Sequence, residues 1–368
     1  MADADPISIL DIVKRGGYEA SLITSFNATL PFYEEVVLRR LVAAGARHNV
    51  VLMDAAQCAQ SWMSEASRPR LAGHAYTLVP MRAEGAFHPK VCILVGPKKA
   101  SVLIGSHNLT LSGFGFNREV TNWIEVDGAN DTDGAAALAD TWQLVEHWIE
   151  QQRPHLPVQV VEAAMAFSNF VQPLATRSKG QGLSGVLGQA PGGQTLWKQL
   201  LPRLPSPVNR IAVIGAFFDA KCAFVQALET QWPLAEIVVT IDPETVQLTA
   251  DVSHLRSRFV DARQIWAQTA TTYLHAKALY FEGESTAVFV SGSANPSWPA
   301  WMTTDGHGNS EAVMLRTGAS ATVAAEDLGI LASFAQVALG EDVLEQVAAR
   351  TRTEIGRASC RERVCYVV

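Results

Sequence analysis

His88-Pro89-Lys90 leads into an apolar run that breaks at Gly105-Ser106-His107-Asn108, and His275-Ala276-Lys277 leads into another that breaks at Gly292-Ser293-Ala294-Asn295. In both copies the histidine and the asparagine lie 20 residues apart, with Gly-Ser at the same offset. Two half-sites of one design in a single chain point to one composite active site on a pseudo-twofold axis. The remainder then reads as the scaffold that brings them together.

The flanks repeat as well. Residues 21–26 are rich in strand formers, Pro31 opens a helical stretch over 32–44 that Gly45 stops, and 50–53 form a buried-strand candidate. That β–α–β order favours a parallel crossover. Strands follow at 76–80, 91–95 and 101–104, with 96–99 as a turn. The plan restarts near Asn209: strand 210–216, helix 220–230, strand 236–241, then strands 278–281 and 286–290 around Glu282-Gly283-Glu284. Phe26 precedes His88 by 62 residues and Phe217 precedes His275 by 58, so an internal repeat outranks any reading of single elements. Residues 7–15, 134–152, 160–171 and 321–349 read as helical, the last packing on the second half. Residues 127–133 read as a polar turn and 178–194, rich in Gly, Ser and Gln, as a loop or hinge.

HxK followed by GSxN, present twice, resembles the phospholipase D superfamily of HKD phosphodiesterases over roughly residues 20–316. The resemblance implies an α/β class with a duplicated phospholipase D-like fold. Two mixed β-sheets flanked by helices would be related by a pseudo-twofold axis, with the active site between them. The expected repeats are 1–175 and 176–350. The wording of Phe87-His88-Pro89-Lys90 and of the run from Gly105 to Gly113 is similar to the bacterial nuclease-like members, often attached to helicase, defence or repair modules.

The residue types suit phosphodiester cleavage without a metal, which needs a nucleophile, a proton donor for the leaving oxygen and positive charge on the non-bridging oxygens. Histidine serves as nucleophile or acid because it titrates near neutrality, and neighbours must keep one ring neutral and the other protonated. Lys90 and Lys277 supply charge, and Asn108 and Asn295 supply neutral donors. On a strand, positions i and i+2 share a face, so HxK would aim both side chains at one phosphate. Ser106, Ser293 and His107 are candidates for substrate contact. The resemblance implies a phosphohistidine intermediate, with His88 assigned as nucleophile and His275 as acid/base. Glu119 and Glu311, 11 and 16 residues after the asparagines, are candidates for holding a histidine Nδ1–H; Glu119 precedes the apolar Trp123-Ile124, which suits burial. The family's aspartate five residues after the lysine is replaced by Val95 and Glu282, which weakens a reading as a phospholipase proper. Lys98 and Lys99 are candidates for a solvated turn or a phosphate-backbone contact, and Trp298 and Trp301 for core packing or a base- or acyl-binding groove. His48, His74 and His307 read as structural or exposed.

At 368 residues, 48% hydrophobic and 18% charged, the chain has the composition of a folded protein with a sizeable core. No apolar run approaches a membrane span and no secretory signal opens the chain, so the cytoplasm is the expected location. The net charge of −7 argues against a basic coat while leaving room for a positive cleft. Five cysteines without a CxxC pair suggest neither a zinc site nor a disulfide framework, and no cofactor is expected; Cys58, Cys92 and Cys222 read as buried thiols. Residues 354–368, EIGRASCRERVCYVV, look like a sequencing adapter translated in frame, so the natural chain would end or continue after about Thr353, where a helicase or other domain could follow.

The leading expectation is a metal-independent nuclease acting on nucleic acid, DNA above all. A phospholipase D or phosphatidyltransferase is the alternative with the same chemistry, and a catalytically inactive nucleic-acid-binding module is the third. Complete His, Lys and Asn sets in both halves count against the third.

Overall fold

The structure, a computed structural model, describes residues 8–127, 131–175, 185–248, 252–266 and 273–361. Among these, thirteen strands form two mixed sheets. The first contains β1 (Ala20–Ser25), β2 (His48–Asp54), β3 (Thr77–Met81), β4 (Val91–Val95), β5 (Lys99–Gly105) and β6 (Thr121–Asp127), in the order β3-β2-β1-β4-β5-β6. The second contains β7 (Val186–Gln189), β8 (Arg210–Ile214), β9 (Glu236–Ile241), β10 (Arg258–Asp261), β11 (Ala278–Glu282), β12 (Ala287–Gly292) and β13 (Glu311–Thr317), in the order β10-β9-β8-β11-β12-β13-β7. Apart from β7 the two orders are the same. In each sheet three parallel strands, the product of right-handed crossovers, meet an antiparallel meander.

Near-continuous apolar strands follow from covering both faces of each sheet. Leu22, Leu52 and Ile93 pack beneath the helices Thr132–Glu150, Val158–Met165 and Ser168–Ala175, while Ile23, Met53 and Leu94 pack on the opposite face beneath Ile9–Lys14 and the helical stretch 30–43. In the second sheet Val213, Val239 and Leu279 meet Ala223–Gln231 and Leu196–Leu200, and Ala212, Tyr280 and Phe289 meet Ala319–Asp327. The sheets meet through β5 and β6 against β12 and β13. There Asn122, buried, donates from Nδ2 to Ser291 Oγ (2.9 Å) and Ile104 O (3.2 Å), tying equivalent positions of the two halves together.

Several elements depart from the sequence reading. β6, β10 and β13 are additional strands; β6 and β13 carry Asn122, Glu125, Asp127, Glu311 and Arg316, which interrupt the apolar signal. Part of the expected loop 178–194 is strand β7, which satisfies the outer edge of β13 in the register Glu311↔Gln189; residues 178–184 lie outside the described ones, as do 128–130 of the expected polar turn. The expected helix 321–349 is two helices, Ala319–Asp327 and Glu341–Arg361, separated by a 3-10 segment, Ile330–Ala335. Residues 362–368 of the suspected foreign tail lie outside the described ones. No helix among the described residues is long and apolar enough to cross a membrane.

Candidate active site

In each half, HxK and GSxN are the two ends of one hairpin. β4 and β5 pair in the register Val91↔Ile104, and β11 and β12 in the register Ala278↔Ser291. The residues before the first strand and after the second therefore emerge side by side. Gly105 N–H donates to Lys90 O (3.0 Å), and Gly292 N–H to Lys277 O (3.3 Å). The 20-residue spacing is the length of this round trip. The HxK triplets are lead-ins to their strands rather than parts of them, and each lysine folds back on its own histidine. Lys90 Nζ donates to His88 O (2.7 Å) and Lys277 Nζ to His275 O (2.5 Å).

Both lead-ins are anchored. Thr24 Oγ1 donates to Pro89 O (2.9 Å) and accepts from Val91 N–H (2.8 Å), while Asp54 Oδ2 accepts from Phe87 N–H (3.1 Å). His88 N–H donates to Ser310 O (3.0 Å), and His275 N–H to Arg118 O (2.9 Å), so each motif pairs with the segment that precedes the other half's glutamate.

The consequence is a crossed pair of dyads. His88 Nδ1 lies 3.0 Å from Glu311 Oε1, and His275 Nδ1 lies 2.9 Å from Glu119 Oε1. Each histidine is oriented by a carboxylate from the opposite half. An ionised carboxylate only accepts, so both rings carry the proton on Nδ1 and leave Nε2 for chemistry. Ser106 Oγ donates to Glu119 Oε2 (2.5 Å) and accepts from Val120 N–H (3.0 Å); Ser293 Oγ donates to Glu311 and accepts from Ala312 N–H (2.9 Å). Both hydroxyls are thereby committed to holding glutamates rather than to substrate. Asn117 Nδ2 donates to Glu119 Oε1 (3.1 Å) and Asn309 Nδ2 to Glu311 Oε1 (3.0 Å). Sequence reasoning missed these two asparagines, although Asn-x-Glu occurs in both halves at the matching place. An aromatic ring also rests on each histidine: Phe26 on His88 (5.3 Å between centroids) and Phe217 on His275 (5.9 Å).

No protein-family model and no curated protein sequence matches the chain. Solved structures do. Three histidine mutants of the yeast tyrosyl-DNA phosphodiesterase align with TM-scores of 0.54, 0.53 and 0.55 at 13%, 12% and 11% identity. The alignments cover 86%, 84% and 86% of this chain and 86%, 85% and 87% of theirs. The fold is that of the phospholipase D superfamily.

Within this phospholipase D-like frame the site is nearly dry. The His88 side chain is 10% exposed and that of Glu311 0%; those of His275 and Glu119 are each 8% exposed. Burial pulls Lys90 down to about 7 and Lys277 to about 8, against the opposing charges of Glu311 and Glu119. Burial also lowers both histidines: His275 to about 4, with the Lys277 charge adding to the shift, and His88 against the pull of Glu311. Burial would raise the glutamates, but the hydrogen bond and charge of His275 outweigh it and hold Glu119 at about 2, and His88 likewise keeps Glu311 low. The free site thus pairs ionised carboxylates with neutral imidazoles. The lysine and histidine charges of each half act on those of the other, as expected of one shared site.

The halves differ at their asparagines. Asn108 Oδ1 is approached by Ser25 Oγ and Asn27 N–H, both at 3.5 Å. The matching position in the second half is Gly215, against which the Pro296 ring packs, and Asn295 Oδ1 is buried without a partner among the described residues. His107 is buried, edge-on to Phe114, with Nδ1 3.2 Å from Thr121 Oγ1, and burial lowers it to about 4. Ala294 replaces it in the second copy.

Lys98 and Lys99 sit at the far end of the β4–β5 hairpin, roughly 17 Å from HxK at about 3.4 Å per strand residue; Lys99 Nζ lies over the Tyr18 ring (4.7 Å). Glu282, at the far end of β11, pairs with Arg210. Trp301 is buried and stacks on Phe224, whereas Trp298 is exposed beside the Asn295 turn. His48 stacks on Phe170, and His74 and His307 are exposed. Cys58, Cys92 and Cys222 are buried free thiols.

Proposed function

We propose that this chain is a phosphodiesterase that cleaves nucleic acid, DNA foremost, through a covalent phosphohistidine and without a metal ion. The crossed dyads carry the reading. Two neutral imidazoles, each held at Nδ1 by a buried carboxylate, beside two lysines and two asparagines, form the set that in-line displacement at phosphorus requires. His88 Nε2 attacks phosphorus, the bond to the leaving oxygen breaks, and that oxygen takes a proton from His275. The entering phosphate anion raises the pKa of His275 so that it can carry that proton, and Glu119 stabilises the resulting imidazolium. His275 then takes a proton from water, which attacks phosphorus and releases His88. Lys90, Lys277, Asn108 and Asn295 hold the non-bridging oxygens throughout. The structural neighbours are named for a tyrosyl-DNA phosphodiester, which favours DNA over lipid.

Trapping tests this mechanism. With a nucleoside 4-nitrophenyl phosphodiester, a leaving group that needs little protonation, His275→Asn should accumulate a phosphoenzyme, and mass spectrometry should place the phosphate on the peptide carrying His88. His88→Ala should form none. An adduct on His275 in a His88→Asn enzyme would reverse the roles, and activity with no adduct in either variant would refute the covalent mechanism. Turnover of phosphatidylcholine vesicles in place of oligonucleotides would make the substrate lipid.

A further inference from the structure

After each active-site asparagine the chain makes the same turn. Thr110 N–H donates to Asn108 O (2.8 Å) and Ser297 N–H to Asn295 O (2.7 Å), and each turn opens a short helix, Leu111–Gly115 or Trp298–Trp301. The third residue after each asparagine therefore occupies the same place beside the shared site. In the first half it is Leu111, 55% exposed; in the second it is Trp298, 44% exposed.

Trp298 does not hang loosely. Its backbone N–H donates to Asp219 Oδ2 (2.5 Å), which also accepts from Phe224 N–H (3.3 Å). Asp219 is itself buried, with Oδ1 unpartnered among the described residues. It lies two residues after Phe217, the ring against His275, so one loop links the catalytic histidine to the exposed indole. The same loop then places Lys221 (φ 61°, ψ 15°) and Cys222 (φ 50°, ψ 43°) consecutively in the left-handed region, which side-chain-bearing residues rarely occupy. Cys222 is buried in the core and Lys221 is exposed, with no ion pair among the described residues. The corresponding first-half loop, Phe26-Asn27-Ala28-Thr29-Leu30-Pro31, has no cation.

The two flanks of the cleft are therefore unlike: an indole and an ammonium beside His275, and aliphatic Leu111 with Phe116 beyond Asn108. We propose that Trp298 and Lys221 form a nucleotide subsite flanking the scissile phosphate on the second-half side. A nucleobase stacks on the indole, and the neighbouring backbone phosphate meets the lysine. The strained loop fixes the lysine beside the ring, and the sequence-tolerant π-face suits a single strand of any sequence. This subsite rests on the nucleic-acid reading above.

The test compares a labelled single-stranded oligonucleotide with methyl 4-nitrophenyl phosphate, which has neither base nor second phosphate. Trp298→Ala should raise the oligonucleotide KM about tenfold or more, the range of one lost base–aromatic stack, and lower the kcat/KM ratio of oligonucleotide to small diester accordingly. Trp298→Phe should restore most of that ratio. Lys221→Ala should flatten the dependence of log KM on log salt by about 0.7, one phosphate contact on a single strand. If the wild-type enzyme cleaves oligonucleotides but neither variant changes KM or salt slope, the subsite is refuted while the function stands. Equal losses on both substrates with a lowered Tm would make Trp298 structural and overturn the proposal. A wild-type enzyme that turns over the small diester and no oligonucleotide would remove the function reading and the subsite together.

Discussion

Glu119→Gln and Glu311→Gln test the crossing of the dyads directly. Glu119 accepts from His275 Nδ1 (2.9 Å), Ser106 Oγ (2.5 Å) and Asn117 Nδ2 (3.1 Å). A glutamine offers one acceptor oxygen and an NH2, so one of these donors loses its partner. Exchanging a charged acceptor for a neutral one costs about 1–2 kcal/mol, and a buried donor left unpaired about 1–3 kcal/mol more. The sum, about 2–5 kcal/mol, corresponds to a rate loss of about 30-fold to about 5,000-fold on the step that needs the oriented histidine. Because Glu119 holds the histidine of the other half, Glu119→Gln should behave as a weaker His275→Asn. In a quenched-flow experiment with a nitrophenyl diester the burst of nitrophenolate should survive while steady-state turnover slows. Glu311→Gln should instead slow the burst, as His88→Asn does. The comparison is mutant with mutant, so it holds whichever histidine attacks. If Glu119→Gln reproduced the His88→Asn kinetics, the glutamates would serve the histidines of their own halves and the crossed geometry would be wrong.

The lysines make the site sensitive to alkali. With Lys90 at about 7 and Lys277 at about 8, kcat/KM should fall as pH rises above about 7, and Lys90→Arg, which keeps its charge, should move that limb upward even if its maximum is lower; an unmoved limb would assign it elsewhere. The unfolded lysines, near 10.5, hold protons that the folded ones have lost, so stability should rise from about pH 7 towards 10.5. On the acid side, His275 at about 4 and Glu119 at about 2 bind protons later than their unfolded forms, so stability should drop as pH falls below 6.5; urea midpoints across the range would show both trends. Gly292→Ala would bring a Cβ to 2.5 Å from Ala312 O and 2.7 Å from Val313 Cα, both backbone atoms of β13. Prying these strands apart should cost about 1–3 kcal/mol, visible as a Tm several degrees lower, and should displace Glu311 enough to depress activity; an unchanged Tm and rate would contradict that packing. Activity should persist in excess EDTA, and its loss on chelation with recovery on adding a divalent ion would rule out the metal-free mechanism.

The duplicated half-site was legible because a hairpin is local. HxK and GSxN stand at the open end of two adjacent antiparallel strands, so their spacing records the geometry directly, and apolar strands covered on both faces announce themselves in sequence. β6 and β13 were not legible, since each begins beside the polar site and carries the residues that line or lock it. The same locality hid the crossing: Glu119 follows the first motif by a few residues, and nothing in that neighbourhood records that its partner is His275, 156 positions away. That pairing exists only because the segment before Arg118 and Glu119 docks against the Leu274–His275 lead-in, as Ser310 docks against Phe87 and His88. Likewise Ser106 and Ser293, adjacent to the motif in sequence and open to substrate on that evidence, are turned inward by the carboxylates that arrive with β6 and β13. Residue type and spacing determined which chemistry the chain carries; the docking of two sheets, which no single segment encodes, decided which carboxylate serves which histidine.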